Sequence, residues 1–92
     1  MTRRRGNRPP VPEGWGYAFK VEVGRRLREL RAERGVGQAE LAHLAGLAPG
    51  TLSLIESGET LPLPATQRAL AGALGMDERD LIVRLSGDPH AR

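Results

Sequence analysis

Residues 38–58 read QAELAHLAGLAPGTLSLIESG, and this stretch decides the fold. Gln38 opens a short helix, and Glu40 falls in its first turn, where an acid suits the helix dipole. Leu41, Ala42 and Ala45 share one face, and Gly46 closes the helix. Pro49 is a good first-turn residue for a second helix whose apolar stripe is Leu52 and Ile55, and Gly58 stops it. Gly46 has to turn the chain through a backbone angle that side chains dislike. Ala42 has to be small where the two helices cross, and Leu41, Leu47, Leu52 and Ile55 fill the wedge between them. The second helix has a weak cap, since Ala48 offers no side-chain acceptor, a cost of about 1 kcal/mol against Ser.

Upstream, Leu27, Leu30 and Arg31 stand at helical spacing, and Phe19 and Val23 extend the stripe backward. A helix is expected from about Phe19 to Arg34, ended by Gly35. A second pattern competes: Trp15, Tyr17, Phe19, Val21 and Val23 alternate, as in a short strand. Residues 1–14, MTRRRGNRPPVPEG, are basic, rich in Pro and Gly and without periodicity, which describes a flexible arm. Downstream, Leu61-Pro62-Leu63-Pro64 is a loop. A fourth helix follows over about Ala65 to Leu74, with Leu70, Ala73 and Leu74 inward, and Gly75 ends it. Asp77 then caps a fifth helix, Glu78 to Leu85, whose apolar face is Leu81, Ile82 and Leu85. The expected organisation is an arm over 1–17, one all-α five-helix domain over 18–86 with the helix pair at 38–57, and a loose tail over 87–92.

The composition agrees. A chain of 92 residues is enough for one small domain with a marginal core, which oligomerisation would help. Its aromatic residues are Trp15, Tyr17 and Phe19 alone, so the core has to be aliphatic, favouring packed helices over a sandwich or barrel. The absence of cysteine excludes disulfides and thiolate metal sites. No apolar run approaches the length of a membrane span or a signal-peptide core, so no membrane partner is expected and the cytoplasm is the default compartment. The net charge of +3 hides an asymmetry: residues 1–34 hold ten Lys/Arg and four Glu, whereas 35–92 hold four Arg and seven acids. That polarity points to an anionic partner at the N-terminal end. From Gly35 to Gln67, however, 33 residues pass without a lysine or arginine.

Two short helices joined by a tight turn make a helix-turn-helix. Around it stand LRELRAERG at 27–35, TLSLIESGE at 51–59 and LAGALGMDERDLI at 70–82. With these patterns in this order from Gly24 to Ile82, the chain resembles the Cro and phage-repressor type of helix-turn-helix protein, the xenobiotic-response-element-like transcriptional regulators. The resemblance implies a compact five-helix, DNA-binding domain whose third helix enters the major groove of double-stranded DNA. It also implies a homodimer on a palindromic operator, with its two reading helices on the order of 34 Å apart. Carried over by position, Gln38 contacts phosphate and braces the third helix, Pro49, Gly50, Ser53 and Leu54 face base edges, and Thr51 and Ser57 touch phosphate. Arg31 and Glu56 match a buried ion pair between the first and third helices. Family members often have Ser at 48 and Arg, Lys or Gln at 49, 54 or 57, where this chain has Ala48, Pro49, Leu54 and Ser57. A bidentate arginine–guanine contact, worth about 1–3 kcal/mol of discrimination, is therefore closed to this helix. Leu54 is left to touch a thymine methyl, and Ser53 or Thr51 to bond to several bases.

Arg3, Arg4, Arg5 and Arg8 suit a minor groove, as the arms of homeodomains do, or a solvated tail. In the first helix, Glu22–Arg26 and Arg25–Glu29 are i,i+4 neighbours on an ordinary charged face. Arg31 instead falls on the apolar stripe and needs a partner, for which Glu56 is the natural candidate. Trp15, Tyr17 and Phe19 form an aromatic patch suited to packing over the first helix or across a dimer interface. Leu81, Ile82 and Leu85 are candidates for a dimer surface; the alternative is that they close the core. His43 and His90 lack metal-ligand companions, and no serine has a paired base. No metal, cofactor or enzymatic activity is expected. The alternative to DNA is a helix-turn-helix used to bind protein, such as an antitoxin or a regulator's partner, favoured by a third helix without lysine or arginine.

Overall fold

The stripe Phe19, Val23, Leu27, Leu30 keeps a helical period, and it settles the first element. The computed structural model describes residues 15–87, with side chains from Ala18 onward, and in it a continuous helix α1 runs over Trp15–Glu33. Four helices follow: α2 (Gln38–Ala45), α3 (Pro49–Ser57), α4 (Pro64–Leu74) and α5 (Glu78–Ser86). The fold is all-α, and the described residues contain no strand.

At the N-terminus the competing strand pattern is set aside and one boundary is corrected. The alternating segment from Trp15 to Val23 is helical, and α1 begins one turn earlier than Phe19, so residues 15–17 lie in the helix and not in an arm. The physical reason is pairing: a lone strand would have no partner for its backbone groups, whereas the helix satisfies them internally. The arm residues Arg3, Arg4, Arg5 and Arg8, the tail residue His90 and the side chains of Trp15 and Tyr17 lie outside what is described.

The core is aliphatic throughout. Val23, Leu27 and Leu30 of α1 meet Leu41 and Ala42 of α2, Leu52 and Ile55 of α3, Leu70, Ala71 and Leu74 of α4, and Leu81 and Leu85 of α5. Helix α1 packs against α3 and α5, α2 against α3 and α4, and α4 against α5. A further correction concerns α5. Leu81 and Leu85 are buried within the single chain, and of the proposed dimer residues only Ile82, 41% exposed, faces outward. With α5 resting on both α1 and α4, two of its three large apolar side chains point into the core. In α4 the buried alanine is Ala71, and Ala73 only borders the core.

Two glycines set the crossing of α1 and α3. A Cβ on Gly24 would stand 2.5 Å from the main-chain oxygens of both Ile55 and Glu56, so no side chain fits there. Gly58, which ends α3 at φ +86°, abuts α1 in the same way: a Cβ there would lie 2.8 Å from Cα of Val21. The turn at Gly46 adopts φ +70°, in the left-handed region. No described helix is long and apolar enough to cross a membrane.

Candidate nucleic-acid interface

Glu56 is the one charged side chain among the buried residues described, 3% exposed, and three elements converge on it. From α1, Arg31 donates Nε to Oε2 at 2.8 Å and Nη2 to Oε1 at 3.1 Å. From α2, Gln38 donates Nε2 to Oε1 at 3.0 Å. Arg31 also donates Nη1 to the Val36 carbonyl at 3.0 Å, tying in the α1–α2 connection. Arg28, one turn earlier, donates to the main-chain oxygen of Glu56. One residue of α3 is thus held through both its carboxylate and its backbone, with every donor charge-assisted or aimed at a helix carbonyl. The arrangement orients α3 as a rigid unit.

The other side of α3 is open. Pro49, Gly50, Ser53, Leu54 and Ser57 are all exposed, and Thr51 is partly so. Leu54 is 44% exposed, unusual for a leucine between the buried Leu52 and Ile55. Ser57 Oγ turns back on its own chain, 3.1 Å from the Leu54 carbonyl and 3.1 Å from Oε2 of Glu59. The described structure gives the side chains of Ser53 and Thr51 no hydrogen-bond partner. At the head of α3, Ala48 makes no side-chain cap, and the N–H of Thr51 bonds to the Ala48 carbonyl at 3.0 Å. Gln38, exposed at the start of α2, spends one amide hydrogen on Glu56 and keeps its other polar groups free.

The arginines of α1 are engaged elsewhere. Arg25 pairs with Glu22 and Glu29, and Arg26 reaches Glu22 at 2.9 Å. The Arg25 hydrogen bond holds the Glu22 carboxyl below the usual carboxylate range, and Glu22 in turn raises Arg25. Arg34 donates Nε to the Leu74 carbonyl at 3.1 Å, and Arg84 of α5 meets Glu33 at 2.9 Å. The cations without a partner among the described residues are Lys20, Arg68 and Arg79, none of them in α2 or α3. The described residues hold no cluster of three or more His, Cys, Asp or Glu side chains suited to a metal ion.

The proposed site residues therefore divide. Gln38, Arg31 and Glu56 come together under α3, while Pro49, Gly50, Thr51, Ser53, Leu54 and Ser57 line its outer side. Arg28 and Gly24 escaped the sequence reading. Arg28 looked like any surface arginine, because its acceptor is a main-chain oxygen 28 positions away. Gly24 had a signal, a glycine inside an otherwise regular helix, which often marks a close approach.

Comparison with known proteins adds the family. Residues 22–85 match the model of a helix-turn-helix domain. The chain is 40% identical over 73 residues to the HTH-type transcriptional regulator DdrOP3 of Deinococcus deserti, covering 77% of this chain and 57% of that protein. It is 41% identical over 56 residues to the immunity repressor protein of Bacillus phage phi105, covering 61% of this chain and 39% of that one. The chain thus spans little more than half the length of the first of these relatives and less of the second. Among solved structures, the restriction-modification controller protein C.AhdI from Aeromonas hydrophila superposes with a TM-score of 0.67 at 38% identity, over 71% of this chain and 98% of that one. The clp gene regulator ClgR from Corynebacterium glutamicum gives 0.66 at 26% identity, over 91% of this chain and all of that one. A model covering most of the chain, together with a solved relative matched almost end to end, places it: this chain belongs to the helix-turn-helix domain family.

Proposed function

We propose that this chain is a DNA-binding transcriptional regulator, a repressor-like homodimer that inserts α3 into the major groove. The observation that carries this reading is the open outer face of α3, Pro49 to Ser57, on a helix anchored from behind through Glu56. Relatives named as regulators and repressors support it. In this reading Gln38, Thr51 and Ser57 approach phosphates, and Pro49, Gly50, Ser53 and Leu54 approach base edges. Arg3, Arg4, Arg5 and Arg8 supply the phosphate attraction that α3 lacks. Dimerisation uses Ile82 with Phe19 and Leu61, exposed apolar side chains around one groove, and the compartment is the cytoplasm.

The test is a gel-shift titration of the full chain against genomic fragments, including its own upstream region, at two salt concentrations. Retarded complexes whose affinity falls steeply with salt are expected. Deleting residues 2–8 should flatten the log–log slope by about 3–4 units per arm, one for nearly every arginine removed. A duplex-independent chain at low salt overturns the reading, and an unchanged slope removes the arm from it. Ile82→Asp should turn the dimer into a monomer in sedimentation.

A second reading keeps the fold and changes the partner. The cation-free stretch from Gly35 to Gln67 and the exposed Leu54 favour α3 as a protein-docking helix, as in an antitoxin or a regulator's partner. The same titration separates the two.

A further inference from the structure

Gly50, Ser53, Leu54 and Ser57 are i,i+3 and i,i+4 neighbours on the exposed side of α3. Gly50 has no side chain, and the two serines end one atom beyond Cβ. Leu54 alone projects, with 44% of its surface open. Helix α3, PGTLSLIES, contains no Arg, Lys, Asn or Gln, so it has none of the side chains that grip guanine or adenine through two hydrogen bonds. Ser57 is occupied by the Leu54 carbonyl and Glu59. Ser53 is free, but a hydroxyl donates or accepts as its neighbour requires and so discriminates little.

One base feature remains that this surface is able to read. In the major groove the C5 position of a pyrimidine bears a methyl group in thymine and only hydrogen in cytosine. An isobutyl group held at a fixed height suits that distinction. The height is fixed here: Leu52 and Ile55 are buried on either side of Leu54, Glu56 is clamped, and Gly58 lies against Val21. Resting on the DNA-binding function proposed above, we infer that Leu54 is the specificity-determining residue and that it reads a pyrimidine 5-methyl group. The shared chemistry belongs to thymine and to 5-methylcytosine alike. Burying one methyl against leucine changes affinity about four-fold, and a dimer reading two half-sites changes it about fifteen-fold.

The experiment uses the full chain. Duplexes enriched by it from a random-sequence pool are resynthesised with deoxyuridine in place of thymidine, which removes only the methyl groups. Binding should weaken about four-fold per half-site. A second pair carries cytosine or 5-methylcytosine at the same pyrimidine. An increment on both pyrimidines supports methyl recognition from either source, and an increment on thymine alone supports it with thymine as the source. Leu54→Ala should bind the thymine and uracil duplexes equally, whereas Leu44→Ala, which trims an exposed leucine of α2, should keep the difference. Equal affinity of the unaltered chain for thymine and uracil duplexes overturns the inference. So does a methyl increment that survives in Leu54→Ala. Failure to bind any duplex at low salt overturns the DNA-binding function itself, and this inference with it.

Discussion

Removing Arg31 should unfold the domain far more readily than removing Arg28, although the two arginines stand one helical turn apart. Arg31→Ala strips Glu56 of two charge-assisted hydrogen bonds and leaves a carboxylate, 3% exposed, with Gln38 as its sole side-chain donor. Breaking a buried pair in this way costs about 3–5 kcal/mol. Arg31 itself is 19% exposed, so water screens part of the interaction, and about 3 kcal/mol is the appropriate figure. Arg28→Ala loses one hydrogen bond from an exposed side chain to a carbonyl, about 1 kcal/mol. The gap of about 2 kcal/mol corresponds to roughly 8–16 °C in Tm for a domain this small. With a urea dependence of about 1 kcal/mol per molar, it is also about 2 M in the unfolding midpoint. The assay is urea unfolding of the full chain followed by far-ultraviolet circular dichroism, with the slope compared across variants. The double variant Arg31→Ala/Glu56→Leu should recover much of the loss, because it removes the stranded charge and refills the space; Gln38 is exposed and turns to water. Equal midpoints for Arg28→Ala and Arg31→Ala refute the reasoning, as does a double variant less stable than Arg31→Ala.

Other consequences follow from the same geometry. Gly24→Ala should destabilise by about 2 kcal/mol or more despite alanine's better helix propensity, because its Cβ meets two main-chain oxygens that cannot rotate away; a raised Tm would show that α1 and α3 separate freely. Ala48→Ser should add about 1 kcal/mol by capping α3, read as a higher Tm, and an unchanged Tm means the exposed head of α3 is satisfied by water. Glu22, held below the usual carboxylate range by Arg25, stabilises α1 above its unfolded pKa, and that contribution is lost as the pH falls through the lower folded value. Glu22→Gln should remove this acid-side change in helicity, and an identical acid titration in the variant argues against the pairing.

The punctuation of α2 to α5 was plain in the sequence. Gly46, Pro49, Gly58, Gly75 and Asp77 stand where those helices end or begin, because each residue has a local conformational reason to be there. The start of α1 was not, since nothing between Gly14 and Phe19 distinguishes a helix from an alternating strand until tertiary contacts choose. The α5 stripe showed three apolar residues but not which of them the core would take. That depends on how α5 lies across α1 and α4, a property of packing and not of period. Gly24 was only partly legible for a related reason: within its own helix it reads as a weak point, and the carbonyl pair it accommodates belongs to α3, two elements further on.

The distribution of charge gains meaning from the same comparison. By sequence, Arg25, Arg26, Arg28, Arg31 and Arg34 supply half of the ten bases behind the charge asymmetry of residues 1–34. In the fold each is turned to an internal task, pairing with Glu22, Glu29 or Glu56 or reaching carbonyls of Glu56, Val36 and Leu74. A guanidinium already neutralised by a carboxylate releases few counterions when a phosphate approaches. The positive balance of residues 1–34 therefore overstates what the helical domain offers to DNA. What remains for electrostatic attraction on the described surface is Lys20, Arg68 and Arg79, together with Arg28 and Arg34, whose carbonyl partners leave their charge in place, and ahead of it stand the arginines at positions 3, 4, 5 and 8. If the proposed DNA-binding function holds, affinity and discrimination are divided between different parts of the chain: residues 3–8 contribute charge with little sequence preference, and α3 contributes shape with no cation. On that division, the arm deletion should lower binding to all duplexes by a similar factor, and changes at Leu54 should alter the ranking among duplexes while leaving the salt slope where it was.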